Sequence, residues 1–109
     1  MDEMAVIKQG DSYCLPVDLT LDNDALDLTL VECVEFCLDN IRKSYPDKVS
    51  YDAETETFRL PLTQRETFAL KTGRAAVLDV RIKFKNGDVI GLPKPLSVDV
   101  ARALSGEVL

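Results

Sequence analysis

Within the stretch of residues 76–92, residues 78–85 alternate strictly between apolar and charged side chains. The apolar positions are Leu78, Val80, Ile82 and Phe84, and the charged positions between them are Asp79, Arg81, Lys83 and Lys85. A period of two residues predicts a strand with one buried face and one face in water. This strand is the element on which the rest of the fold is arranged.

A hairpin is predicted directly after this strand. Asn86-Gly87 is the dipeptide most typical of a two-residue type I′ turn, in which both central residues have positive φ. Such a turn would place Phe84 opposite Val89 on the buried face. It would also place Ile90 on the solvent face, together with Lys83.

Shorter alternating segments predict further strands on both sides of the hairpin. We expect these strands over residues 5–8, 13–19, 49–51, 57–60 and 96–100. Pro16 lies in the second of them and has no N–H to donate, so that strand is expected at a sheet edge or at a bulge. The segment Leu92-Pro93-Lys94-Pro95 is expected to interrupt the ladder after the hairpin.

Residues 30–45 fit two different periods. The helical positions are Leu30, Val34, Leu38 and Ile41, and the strand positions are Val34, Phe36 and Leu38, alternating with Cys33, Glu35 and Cys37. Periodicity alone does not decide between helix and strand. Because the neighbouring segments are strand-like and Asp39-Asn40 offers a turn, we favour a strand over Val31–Leu38.

One short helix is predicted among these strands. Thr63 and Glu66 have the spacing of a capping box, which predicts a helix near residues 64–70, stopped by Thr72-Gly73. Seven or eight short strands with turns between them are typical of an all-β, mainly antiparallel fold. We therefore expect one domain over residues 1–109, an immunoglobulin-like β-sandwich, with residues 101–109 as a flexible or partner-contacting tail.

The charge of the chain indicates which classes of partner it can bind. The formal net charge of −6 disfavours binding to nucleic acid or to anionic membranes. The cations Arg81, Lys83, Lys85 and Lys94 form at most a local patch, and we interpret them as a solvated face. The first residues carry no apolar signal region, and no apolar stretch is long enough to span a membrane. We therefore expect the chain to fold in the cytoplasm.

Candidate catalytic chemistry is sparse. The chain has no histidine and its five glycines are scattered singly, which argues against a histidine base and against a phosphate-binding loop. Asp79 and Glu35 are a conceivable carboxylate pair, but solvation explains both. We expect no catalysis and no cofactor.

Metal binding and disulfides are not expected either. Asp22, Asp24 and Asp27 fail the EF-hand pattern, because Asp27 and Cys33 occupy the positions that require glycine and glutamate. The cysteines are Cys14, Cys33 and Cys37, an odd number without paired zinc-ligand spacing. We interpret all of them as structural or incidental thiols.

Three apolar residues stand out as candidate protein contacts: Ile90, Val108 and Leu109. Ile90 is expected on a wet face, and the other two lie in the predicted tail. Coverage by a tail or by another subunit would explain them.

Several motifs together resemble a known class of protein. They are Gln9-Gly10-Asp11-Ser12-Tyr13, Leu15-Pro16-Val17, Leu26-Asp27-Leu28-Thr29, Val34-Glu35-Phe36, Arg42-Lys43-Ser44-Tyr45-Pro46, Pro61-Leu62-Thr63-Gln64, Glu66-Thr67-Phe68, Arg81-Ile82-Lys83-Phe84 and Asn86-Gly87-Asp88-Val89-Ile90-Gly91. In this pattern the chain resembles small phage and prophage tail or baseplate proteins and a group of prophage proteins of Firmicutes. The resemblance covers residues 8–99 and consists of turn and strand-entry patterns. It implies an immunoglobulin-like sandwich with a structural role and no catalytic residues.

We therefore expect a virion structural or assembly protein, of the tail or baseplate, that acts through protein–protein contacts. Its partners would be other virion proteins or copies of itself, so an oligomer is compatible with this role. It would lie in the host cytoplasm during assembly and then in the virion. The alternative is a small acidic cytoplasmic protein that intercepts a host or phage enzyme.

Overall fold

The computed structural model describes residues 6–21 and 24–109. The strands are β1 (Val6–Lys8), β2 (Tyr13–Val17), β3 (Thr20–Leu21), β4 (Asp24–Ala25), β5 (Val31–Leu38), β6 (Ile41–Tyr45), β7 (Ser50–Asp52), β8 (Thr57–Leu62), β9 (Ala76–Phe84), β10 (Val89–Gly91) and β11 (Leu96–Ala101). One α-helix, α1 (Gln64–Ala69), follows β8, and a 3₁₀ turn (Leu28–Leu30) precedes β5. The prediction of a mainly antiparallel β fold with one short helix is confirmed for this part of the chain.

The strands form two main sheets. The larger sheet has the order β1-β11-β9-β5-β6, and β10 pairs with β9 on the same side as β11. The smaller sheet has the order β2-β8-β7, and β3 and β4 pair with each other. All these ladders are antiparallel except that between β1 and β11, which is parallel. Pro16 lies in β2, an edge strand, as predicted.

One hydrophobic core joins the two sheets. It contains alternate residues of the strands, such as Leu78 and Val80 in β9 and Leu60 in β8. Phe58 of the smaller sheet lies against Phe36 of the larger one, with ring centroids 5.5 Å apart. The alternation seen in the sequence thus gives each strand one buried face, and these faces meet in a common interior.

Residues 31–38 form a strand, as we favoured, and the helical alternative is wrong. The pairing of β5 with β9 shifts between Val31 and Cys33, so Glu32 is an extra residue in the ladder. Val31 and Val34 are consequently both buried although they are three residues apart. This bulge disturbs the period of two, and that is why the segment also matched a helical pattern.

The hairpin of β9 and β10 forms, but not with the predicted turn. The Gly87 N–H donates to the Phe84 carbonyl at 2.9 Å, and the Phe84 N–H donates to the Asp88 carbonyl at 2.8 Å. Gly87 has a φ of 97°, whereas Asn86 lies outside the positive-φ region. The loop therefore has three residues, 85–87, with a left-handed glycine in last place, and the type I′ prediction is wrong.

This longer loop moves the register by one residue. Val89 pairs with Lys83, and Ile90 pairs with Ile82, whose side chain is buried. Ile90 therefore lies on the inner face of the sheet, and Val89 is the apolar residue on the outer face. The prediction that Ile90 shares the solvent face with Lys83 is wrong, because a slip of one residue exchanges the two faces.

Helix α1 connects the β1–β2 turn to the sheets. Its capping box is present as predicted: Thr63 accepts from the Glu66 N–H, and Glu66 accepts from the Thr63 N–H. The buried Thr67 hydroxyl accepts from the Gly10 N–H and donates to the Asp11 carbonyl, both at 2.9 Å. A single threonine thereby holds the turn between β1 and β2 against the helix.

Gly10 is expected to tolerate alanine less well than Gly87 does. Both glycines have positive φ, which costs a residue with a Cβ about 1 kcal/mol. A Cβ at Gly10 would lie 2.7 Å from the Phe68 ring, whereas one at Gly87 would have no atom within 4 Å. We expect Gly10→Ala to lower the free energy of unfolding by about 1 kcal/mol more than Gly87→Ala, because the ring must shift. Urea denaturation of the two variants measures this difference, and equal losses would contradict it.

Candidate functional site

Ile90 lies on an incompletely covered flank of the core. Although its side chain is on the inner face, it is 43% exposed, while its partner Ile82 is 7% exposed. Leu96, on the inner face of β11, is 42% exposed, and Leu92 between the two strands is half-buried. The core is therefore open to solvent along the β10 side of the larger sheet.

The backbone of β10 is open on the same side. Phe84 and Asp88 are hydrogen-bonded partners, and the Leu92 N–H donates to the Val80 carbonyl at 3.1 Å. Antiparallel partners alternate between hydrogen-bonded and non-bonded positions, so Ile90 also faces β9. The N–H and C=O groups of Val89 and Gly91 consequently point away from β9. Among the residues that the structure describes, no strand pairs with this outer side of β10.

The edge strand β2 is protected by a proline. Pro16 pairs with Arg59, and Cys14 pairs with Pro61, so both prolines fall at positions of the same parity in the ladder. Because a proline has no N–H, these are the non-bonded positions, at which the backbone points away from the partner strand. The free side of β2 therefore lacks a donor at Pro16, which blocks the addition of another strand.

The edge strand β6 is protected by a charge and by a turn. Lys43 pairs with Phe36 and so lies on the inner face, where a charged side chain hinders pairing with another sheet. The outward carbonyl of Ser44 accepts from the N–H groups of Lys48 and Val49, at 2.8 and 3.1 Å. At least one outward backbone group of β6 is therefore already hydrogen-bonded.

The edge strand β7 is protected by its length and its polarity. It has three residues, of which Ser50 and Asp52 are polar. In contrast, β10 consists of Val89, Ile90 and Gly91, without a proline or a charge. The candidate site is this strand with its outward backbone groups and the flanking apolar residues, which we name the β10 edge.

The other two candidate contact residues lie outside every strand. Val108 is 44% exposed and Leu109 is fully exposed, in the segment after β11. Leu104, which the sequence analysis did not single out, is fully exposed as well. The structure does not bring Val108 or Leu109 into pairing with the β10 edge of the same chain.

The cations of β9 do not form a free basic patch. Arg81 donates to the Glu35 carboxylate from Nε at 3.0 Å and from Nη2 at 2.6 Å, and Lys83 lies 3.1 Å from Glu32. The hydrogen bonds and the charge of Glu35 raise the pKa of Arg81. The outer face of the larger sheet is thus a set of cross-strand ion pairs, as the prediction of a solvated face implies. The Glu35 carboxylate forms an ion pair with Arg81 and does not form the carboxylate pair with Asp79 that the sequence offered.

The thiols and the described part of the acidic loop, from residue 24 onward, show no metal-binding geometry. Cys33 and Cys37 are half-buried on β5, Cys14 is exposed on β2, and all are free. Within the described residues, no group of three or more Cys, Asp or Glu side chains is placed to hold a metal ion. Asp27 accepts from both the N–H and the hydroxyl of Thr29, and these bonds lower its pKa. Asp22 of the predicted loop lies outside the described residues.

A second polar feature was not predicted from the sequence. The Lys43 ammonium donates to the Pro61 carbonyl at 2.6 Å and to the Glu66 carboxylate at 2.7 Å. Only 15% of the Lys43 side chain is exposed. Burial tends to raise the pKa of Glu66, but the bonds from Lys43 and from the Thr63 N–H outweigh it and lower the pKa. This ion pair links the edge of the larger sheet to β8 and α1.

A shallow cleft of about 360 Å³ lies at the end of the sheets near α1. Its lining residues are Asp39, Asn40, Ile41, Ala69, Leu70, Lys71 and Arg74. Asp39 accepts from the Val77 N–H at 3.0 Å and from Arg74 at 3.4 Å, so both of its oxygens already have partners. These hydrogen bonds of Asp39 hold the β5–β6 turn in place.

No protein-family model, no curated protein and no solved structure matches this chain. In the part of the chain that the structure describes, no helix is long and apolar enough to cross a membrane. The case for a function therefore rests on the geometry of the β10 edge and on the resemblance of the sequence motifs.

Proposed function

We propose that the protein is a structural or assembly component that acts through protein contacts at the β10 edge. Its motifs resemble those of phage and prophage tail or baseplate proteins, and we propose a place in such a tail or baseplate. The partners are other virion proteins or copies of the same chain. No catalytic step and no cofactor is part of this proposal.

The observation that carries the proposal is the contrast between β10 and the edge strands β2, β6 and β7. An open strand edge with apolar side chains is a template for pairing with another chain, and proteins normally block such edges. Pro16, Lys43 and the polar residues of β7 block three edges here. The β10 edge has outward N–H and C=O groups beside the exposed side chains of Val89 and Ile90. Strand addition at such an edge is a common mode of protein recognition.

We further infer that the two sheets form an immunoglobulin-like sandwich. What supports this is the strand order: β2-β8-β7 faces β11-β9-β5-β6, which corresponds to strands B-E-D facing G-F-C-C′ in that fold. In this comparison β10 and β11 are two halves of the last strand, separated by Pro93 and Pro95. The β10 edge is then the half of the last strand that β1 does not cover.

The alternative of an acidic protein that intercepts an enzyme has less support. Mimicry of nucleic acid needs a surface on which carboxylates are free. Glu32 and Glu35, on the broad outer face of the larger sheet, are paired with Lys83 and Arg81. The net charge of −6 is therefore not concentrated on that face.

Replacing Val89 by proline tests the proposed role of the edge. The Val89 N–H points away from β9, so proline removes an outward donor without breaking the β9–β10 ladder. We expect Val89→Pro to abolish assembly while the free energy of unfolding changes by about 1 kcal/mol or less. Val89→Ala is the matched control, since it shortens the side chain but keeps the N–H. Sedimentation velocity measures assembly, and urea denaturation measures stability.

If Val89→Pro assembles to the same extent as the wild type in sedimentation velocity, the role of the β10 edge is refuted. The place in a virion has a separate test, which is mass spectrometry of phage particles purified from the native host. Absence of the chain from such particles would refute the tail or baseplate assignment and leave the role of the edge intact.

A further inference from the structure

We propose that the β10 edge binds residues 103–109 of a second copy of this chain as an added strand. This inference rests on the proposed function and names its partner. The segment Ala103-Leu104-Ser105-Gly106-Glu107-Val108-Leu109 forms no strand in its own chain, and both Leu104 and Leu109 are fully exposed. Within the described residues, the chain therefore carries a strand edge without a partner strand and a terminal segment that lies outside every strand.

Two apolar residues of the segment match the inner face of the edge. In an extended strand Leu104 and Val108 lie on one face, and the other face carries Ala103, Ser105, Glu107 and Leu109. If the first pair continues the inner face of the larger sheet, it covers the exposed parts of Ile90 and Leu96. Ser105 and Glu107 then lie in solvent on the outer face. The backbone of the segment supplies partners for the outward groups of Val89 and Gly91.

Distance along the sheet favours a second copy over the same chain. Ile90 of β10 pairs with Ile82 of β9, whereas Val98 of β11 pairs with Ala76, six residues earlier in β9. Ala101 lies three residues beyond Val98, in the direction away from Ile90. At about 3.4 Å per residue, Ala101 is roughly 30 Å from the level of Ile90 along the sheet. The stretch from Ala101 to Val108 spans at most about 25 Å when fully extended. Val108 therefore cannot reach Ile90 of its own chain along this path.

Charge also favours this segment as the part that meets another copy. The chain has a net charge of −6, so two copies repel each other in general. Residues 103–109 contain a single charged side chain, Glu107, so this segment carries little of that charge. The cation opposite Val89 on the outer face is Lys83, which is already paired with Glu32, so the segment meets a neutral ion pair there.

Such a contact joins different surfaces of the two copies. Each chain then offers one edge and one segment, so contacts repeat head to tail and produce a ring or an open filament. A symmetric pairing of β10 with β10 of a second copy would instead stop at a dimer. Head-to-tail assembly and symmetric β10–β10 pairing therefore predict different complexes when two variants with different defects are mixed.

The test mixes two full-length variants with complementary defects. Val89→Pro blocks the edge, and the double substitution Leu104→Asp with Val108→Asp blocks the segment. Each variant alone is expected to be a monomer in sedimentation velocity, while the wild type forms species larger than a dimer as its concentration rises. An equimolar mixture retains one intact edge and one intact segment, and we expect it to form a heterodimer and nothing larger.

A matched control and a site-specific measurement complete this test. Ala103→Asp with Ser105→Asp adds the same charge on the opposite face of the segment and is expected to assemble like the wild type. In NMR spectra, an isotope-labelled segment variant mixed with the unlabelled edge variant should show shifts at Val89 and Gly91. Circular dichroism and urea denaturation verify that every variant is folded.

The outcomes separate this inference from the proposed function. If Val89→Pro is monomeric but the segment variant assembles normally, the segment is not the occupant, and β10–β10 pairing or another partner takes its place. If the wild type is a monomer at every concentration, the second copy is refuted as the partner. If neither variant changes the assembly of the wild type, both the inference and the role of the β10 edge are refuted.

Discussion

Replacing Phe58 by alanine is expected to lower the free energy of unfolding by about 3–5 kcal/mol. Phe58 is 1% exposed and lies at the meeting point of both sheets. Its ring contacts Phe36, Tyr45 and Tyr51, with centroid distances of 5.5, 5.3 and 4.8 Å. Truncation therefore leaves a cavity and removes aromatic contacts, edge-to-face with both tyrosines and tilted with Phe36, that contribute about 0.5–1.5 kcal/mol each.

Urea denaturation followed by circular dichroism measures this loss. Phe58→Leu is the control, because it keeps most of the apolar volume and is expected to cost about 1–2 kcal/mol. A domain of this size is typically stable by about 5–15 kcal/mol, so the alanine variant loses a large fraction of the stability. A loss of less than about 1 kcal/mol for alanine would mean that the sheets do not meet at Phe58.

The elements with regular alternation were predictable from the sequence, and the irregular ones were not. Strand β9 alternates over its whole length, and its apolar residues Leu78, Val80 and Ile82 are buried. The helix α1 was predictable because a capping box is a local signal within four residues. Strand β9 was recognisable from a period that its residues follow, and α1 from an interaction between residues close in the chain.

Register was the part of the fold that local signals could not determine. The Asn86-Gly87 dipeptide is compatible with a two-residue loop and with the last two positions of a three-residue loop. The three-residue loop is favoured here because it places Ile82 and Ile90 on the same inner face. The bulge at Glu32 is similar: it becomes recognisable only when β5 is aligned with β9.

The candidate site was identified in part. Ile90 attracted attention as an apolar residue beside charged ones, and it does lie at the open edge, although on the opposite face. Pro16 signalled an edge strand because a proline cannot donate to a ladder. That β10 lacks the protection seen in β2, β6 and β7 follows only from a comparison of these edge strands, which requires the sheet order.

Lys43 shows why some important charges escape sequence analysis. It lies at an inner-face position of β6, where alternation would place an apolar residue. Its partners, Pro61 and Glu66, are 18 and 23 residues away in the chain. No spacing rule links residues that far apart, so the interaction depends on the tertiary fold alone.

Removing Glu66 is expected to have the second-largest effect on stability. Glu66→Ala deletes the partner of a mostly buried ammonium and one bond of the capping box. Breaking a buried ion pair costs about 3–5 kcal/mol, and partial exposure of this pair reduces the expected loss to about 2–3 kcal/mol. Glu66→Gln keeps the capping bond and loses only the charge, so we expect about half of that loss. A double-mutant cycle with Lys43→Met measures the coupling between the two side chains.

The contribution of Glu66 should depend on pH in a defined direction. Folding lowers the pKa of Glu66 below its ordinary value of 4.5, chiefly through the bonds from Lys43, so folding favours the ionised form. The ion pair therefore contributes fully above about pH 4.5, and its contribution is lost as the pH falls through the lower folded pKa. Asp27 and Asp52 also have lowered pKa values, which is why the comparison must be made between variant and wild type. We expect the stability difference between wild type and Glu66→Gln to shrink on acidification, whereas the exposed control Glu54→Gln should show no such trend. A difference that stays constant from neutral pH to strongly acidic pH would show that Lys43 does not depend on the Glu66 charge.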